Sequence, residues 1–196
     1  NIKYSVNIKI KYVTWDNFTC LINRRIDVHD DLKTLYYAIF SSHLNYGCQI
    51  WGQNSNIFNQ KVFKLQNRAI RIITFSNFQA DTSPLYANLK ILKLKDQIVL
   101  HNCLFVHDAL NHIAPSCFHS YFKTAREIHS INTKSAYLGC LHVTACATTR
   151  YGINSITRKC ISNWNEITQK FKIDLSILKR YQLKSNIKLY FSQSYA

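Results

Sequence analysis

The 196-residue chain contains no methionine, only four glycines and two prolines, and ten acidic residues. So little glycine and proline excludes a collagen-like repeat, a low-complexity chain and a proline-rich linker. Lys, Asn and Gln interrupt every apolar stretch before it reaches the roughly 20 residues that span a bilayer. No secretory leader is expected either, since Lys3, Lys9 and Lys11 break the short apolar stretches at the start. A glycine-rich phosphate loop is absent, which argues against a nucleotide hydrolase. Ser, Cys and His are plentiful, but no spacing orders them into a nucleophile and its base. The missing methionine and the opening Asn1-Ile2-Lys3 lead us to expect a fragment, a processed product or a piece of a decayed reading frame.

Against those absences stand 47% hydrophobic residues, enough for a sizeable core in one domain or two small ones. Twenty-five Lys and Arg outweigh the ten acids, giving a net charge of +15 and a pI near 9.6. An excess of that size calls for a polyanionic partner, nucleic acid first and an anionic membrane second. The membrane reading is set aside, because no helical pattern joins a strong basic face to apolar residues at its tip. Seven cysteines at irregular spacing, without a leader, read as reduced and mostly buried thiols of an intracellular protein.

Periodicity divides the chain. Residues 1–14 alternate apolar and polar (Ile2, Tyr4, Val6, Ile8, Ile10, Tyr12), the period of a strand. Asp30 and Asp31 precede Leu32, Leu35, Tyr36, Ile39, Phe40 and His43, whose steps of three and four predict a helix closed by Gly47. Asn56 would cap the next helix, in which Phe58, Val62, Leu65, Ala69 and Ile72 form an apolar stripe. Lys61, Lys64, Arg68 and Arg71 form a basic stripe about a quarter-turn away. Ser83-Pro84 reads as a cap followed by proline at the first helical position. A longer helix is expected near 95–111, stopped by Pro115. Helical periodicity fades over 123–158, where loops and short strands are expected, and returns at Cys160–Thr168 and from Ile177 to Leu189. The class is mainly α with minor β. Its expected parts are an N-terminal segment (1–31), a helical domain (32–122) and a small mixed C-terminal subdomain (123–196).

Two motifs tempt a chemical reading. Asp30-Asp31 could suggest a metal-binding carboxylate pair, but the residues from Leu32 onward have helical spacing, so the pair reads as the acidic start of a helix. Cys140, His142, Cys146 and Cys160, or Cys117 with His119, lack the doubled close spacing of structural zinc ligands, so no metal is expected. The positive signal is charge. Lys61, Lys64, Arg68 and Arg71 share a helix, with Arg24 and Arg25 near in sequence. Arg150, Arg158 and Lys159 cluster among Tyr137, Tyr151 and Trp164. Cations neutralise phosphates and aromatic faces stack on unpaired bases. For the tyrosines and tryptophans individually core packing is the expectation, with Trp51 an anchor under a turn.

The string Leu32–Gly52, with Leu35-Tyr36-Tyr37, Tyr46-Gly47 and Trp51-Gly52, resembles the segment after the polymerase palm in Jockey-like LINE reverse transcriptases. Leu65–Phe75 is similar to that family's basic leucine-glutamine helix, and Ser83-Pro84-Leu85 with Leu89–Leu92 to its next step. Asn132-Thr133-Lys134, Arg150-Tyr151-Gly152 and Trp164-Asn165 carry the likeness on, over roughly residues 32–190. Lys134 stands where the family has arginine, which would turn a bidentate contact into a point charge. Residues 1–31 match poorly, as a deletion would leave them.

The resemblance implies a helical, thumb-like segment that contacts RNA and DNA (template–primer or element RNA) beside a palm domain. The palm carboxylates and their Mg²⁺ ions lie upstream in the family, so this chain is expected to bind no cofactor and to be inactive alone. Nucleic-acid contact is assigned to Lys61, Lys64, Arg68, Arg71, Lys134, Arg150, Arg158 and Lys159. Parent activity implies the nucleus, although no run of five or more Lys and Arg marks an import signal. The alternative is a catalytically silent relic that only self-associates or binds protein.

Overall fold

The computed structural model describes residues 29–53, 56–128, 133, 137–143, 152 and 155–195. The strand pattern of 1–14, Arg24, Arg25, Lys134, Cys146 and Arg150 lie outside them. The described residues are mostly helical, and their β structure is one antiparallel bridge between Thr124 and Leu141. In chain order the elements begin with α1 (His29–Leu35), a π-helical segment (Tyr36–Ser41), α2 (Ser42–Asn45) and α3 (Cys48–Trp51). There follow α4 (Asn56–Ile73), α5 (Ser83–Leu89), α6 (Leu94–Leu110), a 3₁₀ turn (Ser116–Tyr121) and α7 (Ala125–Ile128). The chain closes with α8 (Ile156–Phe171), a 3₁₀ turn (Leu175–Ile177) and α9 (Arg180–Gln193).

The first helical run buries every fourth residue: Leu32, Tyr36, Phe40 and Leu44. In a plain α-helix each step of four overshoots by roughly 40°, so three steps would carry Leu44 off the face. The wider π turns of Tyr36–Ser41 take back that drift. Asp30 and Asp31 fall in the first turn of α1, the helical placement their spacing predicted. Gly47, at φ 59°, makes the left-handed turn that ends the run. Trp51 then folds back beneath it and donates its indole N–H to the Tyr46 carbonyl at 2.9 Å.

Helix α6 lies at the centre. It buries Leu94, Ile98, Leu100, Cys103, Leu104, Val106 and Ala109, residues that point in all directions round its axis. A helix apolar on every side must be enclosed, and α3, α4, α8 and α9 pack against it. Two of its buried polar side chains find partners on other elements. Asn102 accepts from Gln53 at 3.1 Å, and the His107 ring Nε2 lies 2.8 Å from the Leu178 carbonyl oxygen. Trp164 of α8 is wholly buried and donates to the Gly139 carbonyl. Beside it Asn165 acts as a strand would, accepting from the Leu141 N–H at 2.7 Å and donating to its carbonyl at 2.8 Å. The α5 start differs by one residue from expectation. Thr82 is the cap, and Ser83 is already helical because the Asp81 carboxylate takes its N–H.

One buried side chain ties three elements together. Gln66 of α4 is fully enclosed, donating to the Tyr36 hydroxyl and to the Leu92 carbonyl, both at 3.0 Å. Its oxygen accepts from the Leu94 N–H at 2.8 Å, which supplies α6 with the N-terminal acceptor that its cap residue Lys93 lacks. Replacing it strands all three partners away from water. Gln66→Leu is expected to lower unfolding free energy by about 3 kcal/mol. Urea titration should show a lower midpoint at an unchanged slope; a wild-type midpoint would contradict the role.

Candidate nucleic-acid interface

Gln66 also decides which way α4 faces. Its buried residues are Gln66, Ala69, Ile70 and Ile73, whereas Phe58, Val62, Leu65 and Ile72 of the expected apolar stripe are only half-buried. The core face is therefore rotated by roughly 70° from the one that apolar residues alone indicate. Rotation carries the basic residues from the flank to the far side. Lys61, Lys64 and Arg68 are exposed on the face opposite the core. The helix presents its cations outward as one row about 15 Å long from Lys61 to Arg71.

Arg71, the last of the row, is partly structural. Its Nε donates to the Ala80 carbonyl at 2.9 Å, and its guanidinium carbon lies 5.9 Å from the centre of the Phe78 ring. It thereby holds the turn after α4. Arg68, Arg71, Ile72, Phe75, Ser76 and Phe78 line a shallow open depression at this end of the helix. The two phenylalanines come just after the helix in sequence, and their exposure depends on the turn that Arg71 holds.

Arg158 and Lys159 are half-buried in the first turn of α8, which packs chiefly on α6. The structure thus gathers Lys61, Lys64, Arg68 and Arg71 on one helix and puts Arg158 and Lys159 on another. A further basic row went unread in the sequence although its i, i+4, i+8 spacing is plain. Arg180, Lys184 and Lys188 are exposed along α9. Arg180 is held by Asp108, with Nε to the carboxylate oxygens at 2.8 and 3.0 Å. Partial burial, reinforced by Lys184, holds the Lys188 ammonium below its ordinary pKa.

Among the described residues no chemical site emerges from the soft ligands. The five described cysteines are all unpaired, and Cys48, Cys103, Cys140 and Cys160 are buried. Burial pushes the Cys48 and Cys160 thiols up to about 12 and raises Cys103 and Cys140 as well, so these sulfurs stay protonated and poor as nucleophiles. Among the described residues no three His, Cys, Asp or Glu side chains come together. They do not supply the carboxylate set that paired Mg²⁺ ions require. No helix among them is long and apolar enough to cross a membrane.

Over 77 residues, 39% of its length, the chain is 31% identical to a Drosophila melanogaster protein described as a probable RNA-directed DNA polymerase from transposon X-element. That stretch covers 8% of the fly protein. No family model matches the chain, and no solved structure does. Over that stretch the chain is similar to a probable RNA-directed DNA polymerase of a transposon.

Burial of His101, beside the α9 row, sets a pH dependence. The His101 ring Nε2 lies 3.0 Å from the Asn45 side-chain oxygen, which also accepts from Gln97. Burial, and then the charges of Lys184, Arg180 and Lys188, hold the imidazole below its ordinary pKa. The unfolded chain therefore takes up this proton first as pH falls. The stability contributed is whole above about pH 6.5 and is lost as pH drops through the folded value. Urea midpoints should fall from about pH 7 to about pH 5, and His101→Gln should flatten part of that fall. An identical pH profile in the variant would remove His101 as a cause.

Proposed function

We propose that the chain is a nucleic-acid-contacting part of a non-LTR retrotransposon reverse transcriptase of the Jockey-like kind, drawn from the region after the palm. It grips template–primer or element RNA through phosphate contacts and carries out no chemistry itself. The observation that carries this reading is the outward row Lys61, Lys64 and Arg68 on α4, continued by Arg71, on a chain of net charge +15. A helix pinned by a buried glutamine on one side and cationic on the other is a rigid support for a polyanion. Contacts of this type neutralise phosphates, release counterions and are largely indifferent to sequence. Arg158 and Lys159 supply a second contact in this reading, and Lys134 and Arg150, assigned from the sequence, lie outside the described residues. In the complete enzyme Mg²⁺ would be held by the palm, outside these residues.

The test is binding by fluorescence anisotropy across a salt series, with a short RNA strand and a variant carrying Lys61→Gln, Lys64→Gln and Arg68→Gln. Arg71 is kept because it supports the turn beyond α4. Three lost phosphate contacts should weaken affinity and reduce the slope of log K against log salt by about 2. Unchanged affinity and slope would make the row a solvated face. A sedimentation coefficient that rises with protein concentration in the absence of nucleic acid, together with that null binding result, would favour self-association instead.

A further inference from the structure

Helix α4 ends in an unusual way. The Phe75 N–H donates to the Ile72 carbonyl at 3.2 Å and the Ser76 N–H to the Arg71 carbonyl at 2.9 Å, the paired bonds of a Schellman turn. Its left-handed position is normally glycine, and Phe75 occupies it at φ 50°. A side chain there strains the backbone by about 1–2 kcal/mol. Burial of the ring does not offset that strain, because Phe75 is 67% exposed and Phe78 73% exposed. Besides the run that Gly47 closes, three other helices end on a left-handed residue, at Lys90, His112 and Lys172, all polar. Phe75 is the member of this set that puts a large apolar ring into water.

The two rings border the depression that Arg68 and Arg71 line, with Ile72 and Ser76 between them. Arg71 is fixed by the Ala80 carbonyl and leans over Phe78. Aromatic faces and guanidinium groups within one open concavity match the two halves of a nucleotide. The ring takes the base by stacking, which tolerates any base, and the cations take the phosphate. A duplex hides its base faces inside the stack, so only an unpaired nucleotide can use both halves.

We propose that the depression bordered by Phe75 and Phe78 and lined by Arg68 and Arg71 binds an unpaired nucleobase with its adjoining phosphate, which makes the α4 interface selective for single-stranded segments. This rests on the nucleic-acid reading of α4.

The experiment uses the full chain and one sequence offered as single-stranded RNA, single-stranded DNA and duplex, each with an internal 2-aminopurine. The wild-type chain is expected to bind either single strand several-fold tighter than duplex, with a change in 2-aminopurine fluorescence as the base stacks. Phe75→Gly with Phe78→Ala should weaken single-strand binding about tenfold and abolish the fluorescence change, leaving duplex affinity and the salt slope as they were. Phe75→Gly alone relieves the left-handed strain, so it should melt no lower than wild type while still losing single-strand affinity. Equal wild-type affinity for strand and duplex, or phenylalanine variants that bind single strands like wild type, would overturn the proposal. If those variants do nothing while the Lys61, Lys64 and Arg68 variant flattens the salt slope, the base site fails and the phosphate interface stands. If neither set changes binding, the reading of α4 fails as well. A preference for RNA over DNA single strands would assign the 2′-hydroxyl a part in the site, and equal binding would confine recognition to base and phosphate.

Discussion

The amide of Gln66 is the constraint on which the rest of this structure depends. A primary amide offers two donors and an oxygen with two lone pairs, and in a dry core those groups must be met or folding loses several kcal/mol. Here they are met by a hydroxyl from the π-helical segment, a carbonyl just before α6 and the first N–H of α6. A hydrophobic residue at this position could slide or rotate against its neighbours. A side chain with three directional bonds cannot, so the angle of α4 and the start of α6 are set together. The neighbouring Asn67 accepts from the buried Tyr86 hydroxyl at 2.9 Å and ties α5 to the same point.

Orientation of α4 is what makes an interface available. With Gln66, Ala69, Ile70 and Ile73 inward, the row from Lys61 to Arg68 is left on the outer surface, far from the α6 core. Had the helix buried the stripe centred on Leu65, the same cations would lie along the packing seam. There they would compete with α5 and the 74–80 turn for space and water. The cations of α4 therefore lie on the surface because of one uncharged polar side chain.

Charge elsewhere is handled differently. Arg180 is paired with Asp108, while burial, and then the charges of Lys184, Arg180 and Lys188, hold the His101 imidazole below its ordinary pKa. Both basic rows belong to helices that pack on α6. Buried thiols contribute to the interior as small hydrophobes, with burial holding them protonated.

Amino-acid order alone determined the helical class, the positions of the long helices and the basic excess. Each is a local or additive property: periodicity at three and four residues marks Leu32–Leu44, the region near 95–111 and the closing helices, and charge is a count. Trp51 as an anchor beneath a turn was legible for the same reason, since a tryptophan beside glycine has few other uses. What only tertiary structure decided is direction. Gln66 scores as polar in any pattern of apolar residues, so the buried face of α4 was misplaced until Tyr36, Leu92 and Leu94 supplied its partners. The outward rings of Phe75 and Phe78 were equally hidden, because phenylalanine is ordinarily core and its exposure comes from a left-handed turn held by Arg71 to Ala80. The Arg180, Lys184 and Lys188 row was readable from spacing, but its electrostatic effect arises only where α9 meets His101 of α6, 79 residues before Arg180 in the chain. Contacts between segments so far apart in sequence leave no mark on the local pattern of either.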